Sequence, residues 1–417
     1  MLEIPENAIP TGYSALKEKF KLKALPHFRL SYVLQKGGQK TIVEQGQEIH
    51  FYPKKYQPKD PENIFSQLEF ALKYDGIHLG ILESVFEQIP PEQMTSFVKE
   101  HPSSKTGRRL WYLYEFLLGK KLDVKDIQGG SYVLLLDPQD YYTGKNIRSR
   151  RHYVDDNLLG NIHFCPFIRR TSVLASDEKI DFKEIAKDIL KKYDPEIIFR
   201  ATNYLYLKET RSSYEIERET EIPKKRMARF IALLKEASRS EYLTKEKLIE
   251  LQNYTVDPRF ADKDFRNSQN YVGESIAYTQ EKLHYIPPKP EDVAWLMEGL
   301  FQCYFRMVDS QINPVLIATV ISFGFVFIHP FEDGNGRLHR FLIHHILSRL
   351  KMTPEGLIFP ISATMLNHLR EYDQCLESYS VPLMDLLEDY DLSPEGKLTI
   401  QDNKSEYYSY IDFTEIG

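Results

Sequence analysis

Cysteine is scarce in this chain: Cys165, Cys303 and Cys375 are the only three in 417 residues, and they lie far apart. An odd, scattered set fits neither a disulfide framework nor the close ligand spacing of a zinc site. An excess of positive charge is also missing. The formal net charge is -6 at pH 7, so nothing draws the whole molecule to phosphate backbones or anionic membranes, and a nucleic-acid role would need a local patch. No apolar run reaches membrane-spanning length. The longest, Val315 to Ile328, covers about 14 residues, against the roughly 20 that a bilayer core requires. The N-terminus, MLEIPENAIP, lacks the basic segment and apolar core of a secretory leader. Repeats and low-complexity tracts are absent as well. Together these absences lead us to expect a soluble, cytoplasmic protein with no membrane partner.

What is present is ordinary globular material, 42% hydrophobic and 27% charged, in a length that suits two or three domains. Residues 1 to about 60 are rich in Pro and Lys and read as an irregular arm followed by a short strand around Glu48 to Tyr52. Lys105 to Leu118 carries Leu110, Trp111, Tyr114 and Leu117 at helical spacing, with Gly119 placed to stop it. A β-rich run from Ser131 to Leu136 meets a turn at Asp137 to Asp140, and a second extended segment ends near Val154, which predicts a hairpin. The basic cluster Lys145, Arg148, Arg150, Arg151 and His152 reads as a solvated hairpin edge blunted by charge, or as a contact for nucleic acid or an acidic partner. From Asp181 onward the pattern is helical. Asp194-Pro195 and Asn313-Pro314 each pair an N-cap acceptor with Pro at the first helical position. Near the end, Lys397 to Gln401 and Tyr407 to Ile411 flank Asp402-Asn403 and predict another hairpin, after which the chain stops in a way that suggests a longer parent. The expected architecture is mainly α. A mixed α/β region of unknown role spans 1–180, a helical core 181–382, and a short β extension, open to truncation, 383–417.

The segment after the buried helix is the most constrained. It reads His329-Pro330-Phe331-Glu332-Asp333-Gly334-Asn335-Gly336-Arg337-Leu338-His339-Arg340. Two glycines flank Asn335 just before a new helix expected from Leu338 to about Leu350, an arrangement that gathers free N–H groups at a helix N-terminus and favours an anion. Arg337 and Arg340, three apart, share one face of the first turn and add fixed positive charge. Asp333 is a hard oxygen ligand suited to Mg2+, which commonly binds through one or two carboxylates plus substrate phosphates. His329 can accept a hydroxyl proton near neutrality. Phe331 is placed to point into the core and hold the loop still.

This loop matches, residue by residue, the signature H-x-F-x-(D/E)-G-N-G-R-x-x-R, and the chain thereby resembles the Fic family of protein adenylyltransferases. The resemblance continues in Phe265 to Gly273 and in Tyr285 to Pro290, which look like the family's flap and the Pro-rich start of its next helix; it covers roughly residues 200 to 380. It implies a Fic helical core with a β-hairpin flap and the transfer of AMP from ATP to a Ser, Thr or Tyr hydroxyl of a protein. It further implies His329 as base, Asp333 holding Mg2+, and Gly334, Asn335, Gly336 and Arg337 on the phosphates, with Arg340 on the γ-phosphate. Tyr372 falls where an adenine or ribose contact is implied, and the flap residues Gln269, Asn270, Tyr271, Val272 and Gly273 would pair with the target backbone as an added strand.

Upstream, Ser213 and Glu217 are four apart on one helical face and resemble the family's inhibitory motif, (S/T)-x-x-x-E-(G/N), in which the glutamate occupies the second loop arginine, here Arg340. Arg218 departs from the Gly or Asn of that motif and leaves open how the helix ends. The same loop is compatible with AMP removal or with transfer of another phosphate-containing group such as UMP or phosphocholine. Phosphorylation fits less well, since related kinases of this fold replace the glycine found here at Gly336. A regulator that binds nucleic acid through residues 145–152 and uses the Fic core as a ligand sensor is the alternative of a different class. The protein substrate, which includes the chain itself as a candidate, and the oligomeric state stay open.

Overall fold

The computed structural model describes residues 4–44, 46–239, 241–277, 280–393 and 396–416, so the first three residues of the leader reading and Gly417 of the C-terminal extension lie outside the described residues. The chain divides into one unit of residues 1–137 and 145–158 and another of 138–144 and 159–417. In the first, Ala8–Thr11 (β1), Arg29–Leu34 (β2), Lys40–Glu44 (β3) and Gln47–Pro53 (β4) form a sheet in the order β1-β2-β4-β3, with β2 and β4 parallel and the other pairs antiparallel. This corrects the irregular arm expected before Glu48. The Pro and Lys content lies largely between and at the ends of strands, and β2 joins β4 across an intervening strand, a pairing that no local signal announces. Tyr13–Phe20 (α1), Ile64–Phe70 (α2), Leu79–Phe86 (α3), Pro91–Glu100 (α4) and Lys105–Leu118 (α5) complete the unit with the small sheet described next. Helix α5 has the expected bounds: Ser104 Oγ accepts from Gly107 N at 3.1 Å, and Gly119 ends it at φ 61°.

The expected hairpin between Ser131 to Leu136 and Val154 is overturned. Val133–Leu134 (β5) runs parallel to Val154–Asp156 (β7), and the true hairpin is Ile147–Ser149 (β6) with β7. After Asp137 the chain leaves the sheet, Tyr142 N donating to Ile168 O at 2.9 Å, so no direct return strand follows β5. The basic cluster divides likewise. Arg148 and Arg150 are exposed, whereas Arg151 donates to Glu115 (2.8 Å), Asp126 (2.7 Å) and the carbonyls of Leu122 and Val124, and His152 Nε2 lies 3.0 Å from Glu115. Burial opposes ionisation of Glu115, but the hydrogen bonds from His152 and Arg151 outweigh it and hold the carboxylate well below its usual range.

The second unit is mainly helical. Its helices are Ser172–Asp177 (α6), Phe182–Leu190 (α7), Pro195–Ile216 (α8), Lys224–Glu236 (α9), Lys245–Thr255 (α10), Pro290–Asp309 (α11), Pro314–Ile328 (α12), Asn335–Arg349 (α13), Ile361–Asn367 (α14) and Leu369–Met384 (α15). Both Asx-Pro starts are realised: Asp194 caps Glu196 N at 2.8 Å and Asn313 caps Val315 N at 2.9 Å. Helix α12 is buried on nearly all sides, as its composition demands, and packs on α11 and α13. Helix α13 starts at Asn335 rather than Leu338, so the loop's arginines lie inside it. Val272–Ala277 (β8) and Gln280–Tyr285 (β9) form an antiparallel hairpin with bulges. The hairpin expected across Asp402-Asn403 is also overturned: Tyr390–Leu392 (β10) pairs with Leu398–Ile400 (β11), and Glu406–Ser409 (α16) is a short helix. There the aromatics serve as buried anchors rather than strand residues, Tyr408 Oη donating to Ile286 O at 2.7 Å and Asn403 Nδ2 to Pro287 O at 2.9 Å. The architecture is thus a helical core with a hairpin, preceded by a mixed α/β region and followed by a short β element. Among the described residues no helix is long and apolar enough to cross a membrane.

Candidate active site

The turn from α12 into α13 is rigid for reasons that can be assigned residue by residue. His329 closes α12 in the left-handed region at φ 52°, its N–H donating to Phe325 O at 2.9 Å. A β-carbon in that conformation is strained, and such strain is commonly held at functional positions. Phe331 is fully buried, its ring 5.6 Å from that of Phe265 and 6.3 Å from that of Phe325. The Asn335 side chain staples the loop. Its Oδ1 accepts from Phe331 N at 3.0 Å and its Nδ2 donates to Phe331 O at 2.7 Å, so this amide is spent on the backbone. Gly334 sits at φ 90°, and a β-carbon there would lie 2.8 Å from Val256.

Imidazole chemistry follows from that scaffold. His329 Nδ1 lies 3.1 Å from Val326 O, an acceptor, so Nδ1 carries the proton and Nε2 is left as the basic nitrogen. Burial disfavours the imidazolium and lowers its pKa to about 4, with the Arg266 cation adding to the effect, so the ring is neutral at pH 7.

The start of α13 supplies the anion cradle. The N–H groups of Asn335, Gly336 and Arg337 occupy the first turn, where no intrahelical acceptor exists. Arg337 and Arg340 are both buried beneath it, and Glu217, the cap residue just after α8, lies against both. Arg340 Nη2 donates to Glu217 Oε1 at 2.7 Å and to Ser213 O at 2.6 Å, while its Nε donates to Ser213 Oγ at 2.9 Å. Arg337 Nε lies 2.8 Å from Glu217 Oε2, an ion pair without hydrogen-bond alignment, and its Nη2 donates to Asp333 Oδ1 at 2.7 Å. A β-carbon on Gly336 would fall 2.5 Å from Glu217 Oε1, so glycine is what admits the carboxylate.

Asp333 remains 40% exposed, which leaves carboxylate oxygen open to solvent beside the cradle. That is the donor chemistry of a Mg2+ that brings most of its ligands with a nucleotide. Among the described residues no cluster of three or more protein ligands surrounds it. Tyr372, on α15, is buried with its hydroxyl towards Arg340 and its ring 6.2 Å from His339. The flap residues run from the loop into β8: Asn270 Nδ2 donates to Phe331 O at 3.1 Å and Gln269 Nε2 to Pro287 O at 3.0 Å, Tyr271 follows, and Val272 and Gly273 are the first residues of the strand.

The structure therefore gathers His329, Phe331, Asp333, Gly334 to Arg337, Arg340, Ser213 and Glu217 in one place, with Tyr372 and the flap at its border. It adds three residues that the sequence reading passed over. Gln252 reaches both Asp262 (3.1 Å) and Asp333 O (3.2 Å), Asp262 Oδ2 accepts from Glu332 N at 3.3 Å, and Arg266 binds the His329 carbonyl at 2.8 Å. Burial, reinforced by Glu332 and Asp333, raises the Asp262 pKa. Arg266 could have been noticed within the flap-like segment. Gln252 and Asp262 carry no sequence signal.

Residues 242–347 match the profile of the Fic/DOC family. The protein adenylyltransferase Fic of Drosophila mojavensis is 34% identical over 116 residues, 27% of this chain and 21% of that protein. The Drosophila melanogaster protein of the same name is 36% identical over 99 residues, 24% of this chain and 18% of its own length. The chain thus spans about a fifth of the curated relatives it matches. Among solved structures, a Fic family protein from Desulfovibrio desulfuricans G20 aligns with a TM-score of 0.41 at 17% identity, over 57% of this chain and 71% of that one.

Proposed function

Because residues 242–347 form a Fic domain, we propose that this chain is a protein adenylyltransferase that moves AMP from ATP to a Ser, Thr or Tyr hydroxyl of a protein, and that Glu217 holds it in check. The observation that carries the reading is the neutral His329, with Nε2 open, one loop away from a helix N-terminus backed by two buried arginines. In the proposed reaction the acceptor hydroxyl oxygen attacks the α-phosphorus, its proton passes to Nε2 of His329, and the bond from that phosphorus to the bridging oxygen breaks. AMP is left as a phosphodiester on the acceptor and pyrophosphate departs. Arg337 and the N–H groups of α13 stabilise the charge that grows on the phosphoryl oxygens, and Arg340 takes the γ-phosphate. Asp333 is the residue fit to hold Mg2+, which when bound neutralises phosphate charge and orients the polyphosphate. The flap would present the acceptor segment as an added strand.

The check is competitive electrostatics. A carboxylate that occupies both guanidinium groups must leave before a γ-phosphate can use them. On this reading residues 181–382 are the catalytic core with its inhibitory helix, and three cysteines far apart in sequence suit a reducing cytoplasm. The test is incubation with MgATP labelled at the α-phosphate and a search for label on the chain itself or in a lysate. Glu217→Gly is expected to raise the initial labelling rate, and His329→Ala in that background to lower it by about 10²–10⁴-fold. Equal rates for all three proteins would overturn the assignment. A chase with unlabelled ATP separates addition from removal, since only removal makes the wild-type label decay.

A further inference from the structure

Arg266 is a buried cation, 4% exposed, whose hydrogen-bonding partners are backbone carbonyls. Its Nε donates to His329 O at 2.8 Å, Nη1 to Ser268 O at 2.9 Å and Nη2 to Pro288 O at 2.5 Å, while its own N–H donates to Pro330 O at 2.8 Å. Charge is expensive to bury without a carboxylate in hydrogen-bond contact, and burial lowers even this guanidinium to about 10. A fork of fixed donors is what repays that cost, because three acceptors from three separate segments converge on one plane.

The identity of those segments gives the cost a purpose. His329 and Pro330 are the residues at which α12 turns into the loop, Ser268 lies just before the flap strand β8, and Pro288 lies just after β9. The His329 carbonyl belongs to a residue held at φ 52°, past the last hydrogen-bonded turn of α12, and Arg266 satisfies it. The neighbouring ring of Phe265 packs on Phe331, and Tyr285 Oη binds Phe327 O, so both roots of the hairpin touch the end of α12 or the loop beyond it.

We propose that Arg266 is a positioning residue for transfer, fixing the His329 backbone and both ends of the β8–β9 hairpin in one frame so that a hydroxyl presented on the flap arrives at Nε2. The inference rests on the adenylyltransferase reading above. Placing the reacting groups is worth a great deal, since a displacement of about 1 Å can cost roughly 10²-fold in rate.

The test compares Arg266→Lys and Arg266→Met in the full chain carrying Glu217→Gly. Three quantities are measured: MgATP affinity by calorimetry, initial self-labelling at saturating MgATP, and amide hydrogen exchange in segments 265–273 and 325–333. Both variants are expected to lose about 10²-fold in labelling rate while MgATP affinity changes by less than about threefold. Exchange is expected to rise in both segments together. The Lys variant keeps the charge but cannot span three carbonyls, so it decides the matter alone if the Met variant does not fold. Full activity of Arg266→Lys overturns the proposal, as does a loss of MgATP affinity equal to the loss of rate, or faster exchange in one segment only. If the Glu217→Gly parent itself takes no label, the functional reading fails, and the paired exchange measurement still decides the role of Arg266.

Discussion

In the proposed reaction His329 would meet the acceptor proton already neutral, because burial has lowered its pKa to about 4, and that has a measurable consequence. A base works only in its unprotonated fraction, which falls as pH drops through the pKa in the protein. In the Glu217→Gly background the acid limb of the labelling rate is therefore expected near pH 4 to 5, with no contribution from His329 between pH 6 and 8. Initial rates across that range, with folding followed by fluorescence, check this. A limb near 6.5, the ordinary histidine value, would mean that the ring is far better solvated than its packing against Val326 and Arg266 indicates. At this scale the loop was legible because its chemistry is local: the histidine, carboxylate, glycines and arginines all fall within the one segment His329 to Arg340. Even so, Asn335 shows the limit. The sequence marks it for phosphate, whereas its side chain is committed to Phe331, and only its backbone N–H faces the cradle turn. Arg266, Gln252 and Asp262 reach the site from other elements, so spacing along the chain could not assemble them.

At the scale of elements, the end of α8 decides how firmly Glu217 is held. Glu217 caps it just after Ile216, Arg218 follows at φ 61°, and the N–H of Glu219 donates to Tyr214 O at 3.1 Å, a left-handed helix ending. The Gly or Asn of the resembling motif thus has a physical reason, and Arg218 adopts the same conformation under strain. Releasing that strain is worth about 1–2 kcal/mol, against about 0.5–1 kcal/mol of extra chain entropy that glycine surrenders. The pair Arg218–Glu274, at 3.9 Å and largely exposed, contributes little. Arg218→Gly is accordingly expected to tighten the contact, raising Tm slightly and lowering basal self-labelling by roughly two- to fivefold, while Arg218→Val moves both the other way. Basal labelling that rises in Arg218→Gly would detach this turn from the check on activity. Helices such as α5, α8 and α12 were legible because caps and periodicity are local. The sheets were not: the parallel β5–β7 and β2–β4 pairs join segments whose partners are chosen by packing, and the tyrosines near the end serve α16 and the flap base instead of a strand.

At the scale of the whole molecule the chain offers a natural division of labels, since its two tryptophans fall one in each unit: Trp111 in α5 and Trp295 in α11. The first unit also carries a buried carboxyl with a strong pH term. Asp75 accepts from Tyr13 N at 3.0 Å and from the Ser31 hydroxyl, approached so closely by Gly12 that a β-carbon there would lie 2.1 Å from Oδ2. Burial, only partly offset by those hydrogen bonds, raises its pKa from 3.8 to about 7. The folded state thus holds a proton that the unfolded chain has lost between these two values, so this group contributes stability at low pH that is lost as pH rises through about 7. From pH 5 to 8 the loss from Asp75 is roughly 2–3 kcal/mol. Asparagine reproduces the protonated acid, one oxygen for Tyr13 N and one donor for Ser31 Oγ, and does not titrate. Asp75→Asn is therefore expected to match wild type only below about pH 3.8, where the acid is neutral in the folded and unfolded chain alike, and to exceed it by roughly 1.5–2 kcal/mol at pH 5 and roughly 4 kcal/mol at pH 8. Urea unfolding followed through Trp111 in a Trp295→Phe background should show the shift, and the same experiment through Trp295 in a Trp111→Phe background should not. A shift of equal size through both probes would mean that the two units unfold as one cooperative body, and the pH term of Asp75 would then bear directly on the stability of the site around His329.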